Sequence, residues 1–214
     1  NFKPRSRKFK AEHSVLFQIK IDYEDGTSEI VLSDDAVKVS ESPVRSSDLF
    51  AGELYDARME QEGWDCPGFD DNSWKAGILS GHDPANLVAQ YGEPVRPVLE
   101  LPAVGLTVSP KGETILDFGQ NLAGVLRVKT SLPSGAKIVL DHFETLDQHG
   151  NYFNNIMMAE KIGRNQRDVY ISNGKASFYQ PHFTYHGFRY VRVSCDVPIR
   201  PEDFTAIVLS SDNE

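Results

Sequence analysis

The chain has 214 residues, 40% hydrophobic and 25% charged, which is enough to bury a core and argues against wholesale disorder. Its net charge of -9 repels phosphate backbones, so nucleic acid is not an expected partner. The two cysteines, Cys66 and Cys195, are too few for a disulfide framework, and no apolar run reaches the length of a membrane span.

The basic stretch Lys3–Lys10 reads as a solvated terminus or a severed linker rather than a nucleic-acid arm. Val15–Tyr23 opens as an apolar run and then alternates. Asp25-Gly26 supplies a turn signal and Ser28–Leu32 resumes the pattern, which predicts a β-hairpin.

Gly52-Glu-Leu-Tyr-Asp-Ala-Arg58 is the first dense polar cluster. Asp56 and Arg58 are candidate sugar contacts. The alternative is an internal ion pair holding a loop, either Asp56–Arg58 or Glu53–Arg58. A glycosidase pair of carboxyls about 5–10 Å apart would form from Glu53 and Asp56 only if the segment bends.

In Gly63–Trp74, Trp64 and Trp74 are candidate platforms for stacking on sugar rings. Asp70, Asp71 and Asn72 are candidate Ca²⁺ oxygens, although the loop does not follow the EF-hand spacing. The bland alternative is that both tryptophans plug the edge of a core while the aspartates make turns. Asp70–Trp74 is also expected to cap one short helical turn. His82–Pro94 reads as a connector.

From Val95 onward the strand candidates follow at regular spacing: 95–101, 106–108, 114–117, 125–130, 137–143, 168–171, 177–180, 188–194 and 204–209. Turn residues separate most of them. Asn154–Lys161 is the only other helical candidate. Asp117–Gly124 matches no dinucleotide or phosphate loop and reads as a bulged connection between strands. Asp141-His-Phe-Glu144 alternates, so His142 and Glu144 are expected on one strand face; Glu144 is a candidate sugar contact. His182 and His186 are candidate ligands without a visible third, and no Cys-x-x-Cys or paired-His spacing marks a zinc site. No metal ligand is therefore assigned. Serine-nucleophile motifs are absent. The fold expected is all-β, an antiparallel β-sandwich or jelly roll, with one complete sandwich preceded by part of a second.

Taken together, these residues resemble bacterial α-L-rhamnosidases of glycoside hydrolase family 78. Ile21–Thr27, Ser42–Asp48, Gly52–Arg58 and Gly63-Trp64 with Phe69–Trp74 look like the C-terminal part of that family's galactose-binding-like N-terminal sandwich, giving a first domain over 1–92. Pro94–Arg96, Asp117–Gly124, Glu144–Asp147 and His182–Tyr190 look like the sandwich that follows, over 93–214. The resemblance implies that the acid and base lie in a C-terminal helical (α/α)₆ domain missing here, so no catalytic residue is transferred and the segment alone is expected to be inactive. It implies a rhamnose-containing glycan or glycoside as ligand. It also implies Ca²⁺ in some relatives, through an acidic-amide pair whose matching positions here are Ala51 and Gly52, which offer no side-chain oxygen. Missing strands at a sheet edge would favour strand pairing with a second copy.

Overall fold

A computed structural model describes residues 14–81, 85, 87–154 and 165–211. The basic stretch Lys3–Lys10, part of the connector and all but Asn154 of the second helical candidate lie outside them. In chain order the strands are β1 (Gln18–Asp22), β2 (Ser28–Leu32), β3 (Lys38–Val39), β4 (Val44–Asp48), β5 (Gly52–Asp56), β6 (Lys75–Ala76), β7 (Val95–Pro102) and β8 (Gly105–Val108). They continue as β9 (Thr114–Thr130), β10 (Lys137–Phe143), β11 (Thr145–Leu146), β12 (Tyr152–Phe153), β13 (Arg167–Ile171), β14 (Ser177–Tyr179), β15 (His186–Cys195) and β16 (Phe204–Ser211). Short 3₁₀ turns occur at Ala57–Met59 and Pro201–Asp203. The described chain is all-β, as its sequence predicts.

The chain forms two compact units that interleave in sequence. The first draws its described residues from 1–41 and 63–89, and the second from 42–62 and 90–211.

In the first unit, β1 and β2 form the predicted hairpin, in register from Gln18 opposite Leu32 to Asp22 opposite Ser28. Gly26 turns the chain at φ +82°, and the Asp25 carboxylate accepts the backbone N–H of Thr27 at 2.9 Å. β3 pairs with β6. Asp70–Trp74 forms a turn closed by the Trp74 N–H on the Asp71 carbonyl, rather than the helical turn expected.

The second unit is one ten-stranded sheet ordered β4-β5-β13-β10-β15-β9-β16-β7, with β8 and β14 also on β9. The pairing is antiparallel except between β5 and β13. β9 organises the sheet. Residues 114–117 pair with β8 and β15, 124–128 with β16, and 128–130 with β14. The two strands expected at 114–117 and 125–130 are therefore one strand, interrupted at the motif Asp117–Asn121, where its register against β15 shifts. Alternate residues of β9, β10, β15 and β16 build the core around Leu116, Leu126, Leu140, Phe188, Val191 and Phe204. Gly124 permits β16 to approach, since a Cβ there would lie 2.1 Å from the Ile207 carbonyl oxygen.

β4 and β5 escape sequence reading because their pattern is polar. Gly52 lies at φ +103°, and a Cβ on it would fall 2.0 Å from the Arg167 carbonyl oxygen. Only glycine brings β5 this close to β13.

Candidate functional site

β5 carries the polar cluster into the sheet. Glu53 is 1% exposed; its backbone N–H donates to Asp168 at 2.9 Å, and its carboxylate accepts the His182 N–H at 3.0 Å and the Tyr179 hydroxyl at 3.3 Å. Asp56 caps the turn Ala57–Met59 by accepting the Arg58 N–H at 3.1 Å. The Arg58 guanidinium reaches both Asp56 oxygens, Nε to Oδ1 at 2.8 Å and Nη2 to Oδ2 at 2.7 Å. This forked pair holds the Asp56 carboxyl below the usual carboxylate range. The internal ion pair among the alternatives for this segment is thus present.

Glu144 is exposed just beyond β10, and its Oε1 accepts from Asn121 Nδ2 at 3.4 Å. His142 is buried, so the shared face expected for the His142–Glu144 pair does not form. β10 ends before Glu144, and the backbone leaves the alternation that would align them. Asp56 and Glu144 are also well separated. Asp56 pairs with Ile171, which pairs with Lys137 at the far end of β10, about 20 Å along the strand from Glu144.

In the first unit, Trp64 is 62% exposed, whereas Trp74 is half-buried and meets Phe69 edge-on at 5.7 Å. Asp71 pairs with Lys38 at 2.7 Å, and Asp70 accepts the Asn72 N–H at 3.1 Å. Both aspartates named as Ca²⁺ ligands are thus engaged in local contacts.

Several carboxylates of the second unit pair with arginine. Asp117 pairs with Arg189, Glu100 with Arg127, Glu113 with Arg192, and buried Asp141 with Arg167 and Arg192. Every described carboxyl whose ionisation is displaced from its ordinary value is displaced downward. A glycosidase general acid needs the opposite, a carboxyl kept protonated near neutral pH.

Residues 107–210 match the bacterial alpha-L-rhamnosidase concanavalin-like domain, and residues 1–98 match the alpha-L-rhamnosidase N-terminal domain. An alpha-L-rhamnosidase of Streptomyces avermitilis is 40% identical over 184 residues, 85% of this chain and 17% of that protein. One from an Alteromonas species is 33% identical over 84% of this chain and 19% of its own length. The crystal structure of the Streptomyces avermitilis enzyme complexed with L-rhamnose superposes with a TM-score of 0.83 at 37% identity, covering 92% of this chain and 19% of that one. The Aspergillus terreus enzyme superposes with a TM-score of 0.83 at 34% identity, covering 92% and 23%. The chain thus spans less than a quarter of these relatives. Fold and matches together define a β-sandwich region of the kind found in the N-terminal part of rhamnosidases. More narrowly, the chain belongs to the α-L-rhamnosidase family, to the region built from its N-terminal and concanavalin-like domains.

Proposed function

We propose that this chain is the accessory scaffold of an α-L-rhamnosidase that removes terminal α-L-rhamnose from glycans or glycosides, with the chemistry performed by a helical domain outside the chain. The observation that carries this reading is the ordered match of both N-terminal rhamnosidase domains to a chain spanning 17–23% of its relatives. The arginine-matched carboxylates support it, because they are poor proton donors at neutral pH.

Sugar contact is the finer part of the proposal. Trp64 has the open ring face that stacking on a pyranose requires, and it also supports a second reading, a stand-alone carbohydrate-binding module. Ca²⁺ would have to displace the contacts that Asp70 and Asp71 already make. β4 and β7, the edges of the sheet, are where a second copy would add strands. Calorimetric titration with L-rhamnose, with and without Ca²⁺, tests sugar contact. Fusing the chain to a rhamnosidase helical domain tests the scaffold role: the fusion should be more soluble and more active than the helical domain alone. Equal solubility and activity would contradict that role.

A further inference from the structure

Three adjacent strands bring together side chains that the rhamnosidase reading does not use: His142 on β10, Asp168 on β13 and His186 on β15. Each is at most 1% exposed, and one ligating atom from each lies within 4.8 Å of the other two. His142 Nδ1 lies 3.1 Å from the Gln166 carbonyl oxygen, so Nδ1 carries the proton and Nε2 presents a lone pair. That lone pair faces Asp168 Oδ2 at 3.8 Å. Neither atom has a hydrogen-bond partner in the described structure, and His186 Nδ1 has none either. Two lone pairs opposed in a dry interior repel unless a positive charge lies between them.

We infer that His142 Nε2, Asp168 and His186 Nε2 form a closed site for a divalent transition-metal ion of the Zn²⁺ class.

The dimensions come close. Zn–N and Zn–O bonds of about 2.0–2.2 Å at a tetrahedral angle place ligand atoms about 3.4 Å apart, so the 3.8 Å pair, and the trio as a whole at up to 4.8 Å, must draw together by up to about 1 Å when the ion loads. His186 Nε2 lies 3.2 Å from Asp168 Oδ1, so a tautomer exchange on His186 turns its lone pair to the same ion. The Nδ1–H bond of His142 to a backbone carbonyl is the outer contact that orients metal-bound imidazoles. Gln166, which supplies that carbonyl, holds a left-handed backbone at φ +48°, a costly conformation that fixes the His142 ring. Full burial leaves no position for substrate, so the ion is structural and ties β13, β10 and β15 together, with a trapped water completing the tetrahedron that three protein donors leave one short.

The site is closed, so loading must accompany folding. The tag-free chain, unfolded with chelator and refolded with Co²⁺, should retain about one equivalent per chain after desalting and show visible bands of tetrahedral intensity. Zn²⁺ should displace Co²⁺ during refolding and raise the Tm by about 5 °C or more. His142→Gln should abolish the bands, while the control His149→Gln, at an exposed histidine, should keep them. If His142→Gln does not refold, X-ray absorption on the wild-type Zn²⁺ form decides alone, with two imidazoles and a carboxylate oxygen expected in the first shell. Folded wild-type chain that retains no metal, or an absorption spectrum lacking two imidazoles, overturns the assignment and leaves a bridging water as the occupant.

Discussion

Asp117 accepts both forks of the Arg189 guanidinium, Nε at 2.9 Å and Nη2 at 3.0 Å, where β9 and β15 lose register between Phe188 and Tyr190. The same carboxylate accepts the N–H of Gly119, which stands at φ +81°. The bulge motif Asp117–Asn121 and the motif His-Gly-Phe-Arg are therefore one structural device, with the arginine of one bracing the turn of the other.

Asp117→Asn is expected to lower stability by about 1 kcal/mol, a small figure because both side chains are partly solvent-screened. Arg189 holds the Asp117 carboxyl below its ordinary value. Its stabilisation is complete above the unfolded-state value near pH 4 and is lost as pH falls through the lower folded value. Urea melts from pH 7 to pH 3 should show a shallower acid decline in the variant. Parallel declines would place the effect elsewhere.

Gly52→Ala and Gly124→Ala should each cost more than about 3 kcal/mol, because the added Cβ would sit about 2 Å from a carbonyl oxygen of the neighbouring strand. A change below 1 kcal/mol in thermal or urea melts would mean that β5 or β16 lies further from its neighbour.

Trp64→Ala and Trp74→Ala separate binding from packing. Trp64→Ala should leave stability within about 0.5 kcal/mol and weaken any L-rhamnose binding about tenfold, equivalent to about 1.4 kcal/mol. Trp74→Ala removes a half-buried ring and its Phe69 contact and should cost about 2 kcal/mol. Melts beside calorimetry distinguish the two, and unchanged affinity in Trp64→Ala removes it as a platform.

Arg58→Ala tests the pair with Asp56 directly. The side chain is exposed and its Nε and Nη2 are already engaged by Asp56, so the expected outcome is little loss of stability and no change in sugar affinity. A large affinity loss would return Arg58 to the ligand contacts.

What the sequence makes legible follows from where the determinants lie. The β1–β2 hairpin is local: Asp25 and Gly26 set the turn, and alternation sets the strands. β5 is not local. Glu53 and Asp56 break the apolar pattern, and Glu53 meets partners more than a hundred residues away, at Asp168 and His182. The His142–Asp168–His186 cluster was hidden for the same reason. In the sequence His142 shows only as half of a pair with Glu144, and His186 as a ligand lacking a third; the strand order β13-β10-β15 brings Asp168 within reach of both. The exposure of Trp64 against Trp74 likewise depends on packing that spacing does not encode.

The central claim is that these strands carry a rhamnosidase's framework without its acid and base. The most direct measurement is release of nitrophenol from 4-nitrophenyl α-L-rhamnoside by the chain alone, at high protein concentration and free of contaminating glycosidase. The expected rate equals that of buffer across pH 4–8. Sustained turnover that co-purifies with the chain and disappears on mutation of one of its own carboxylates would contradict the account.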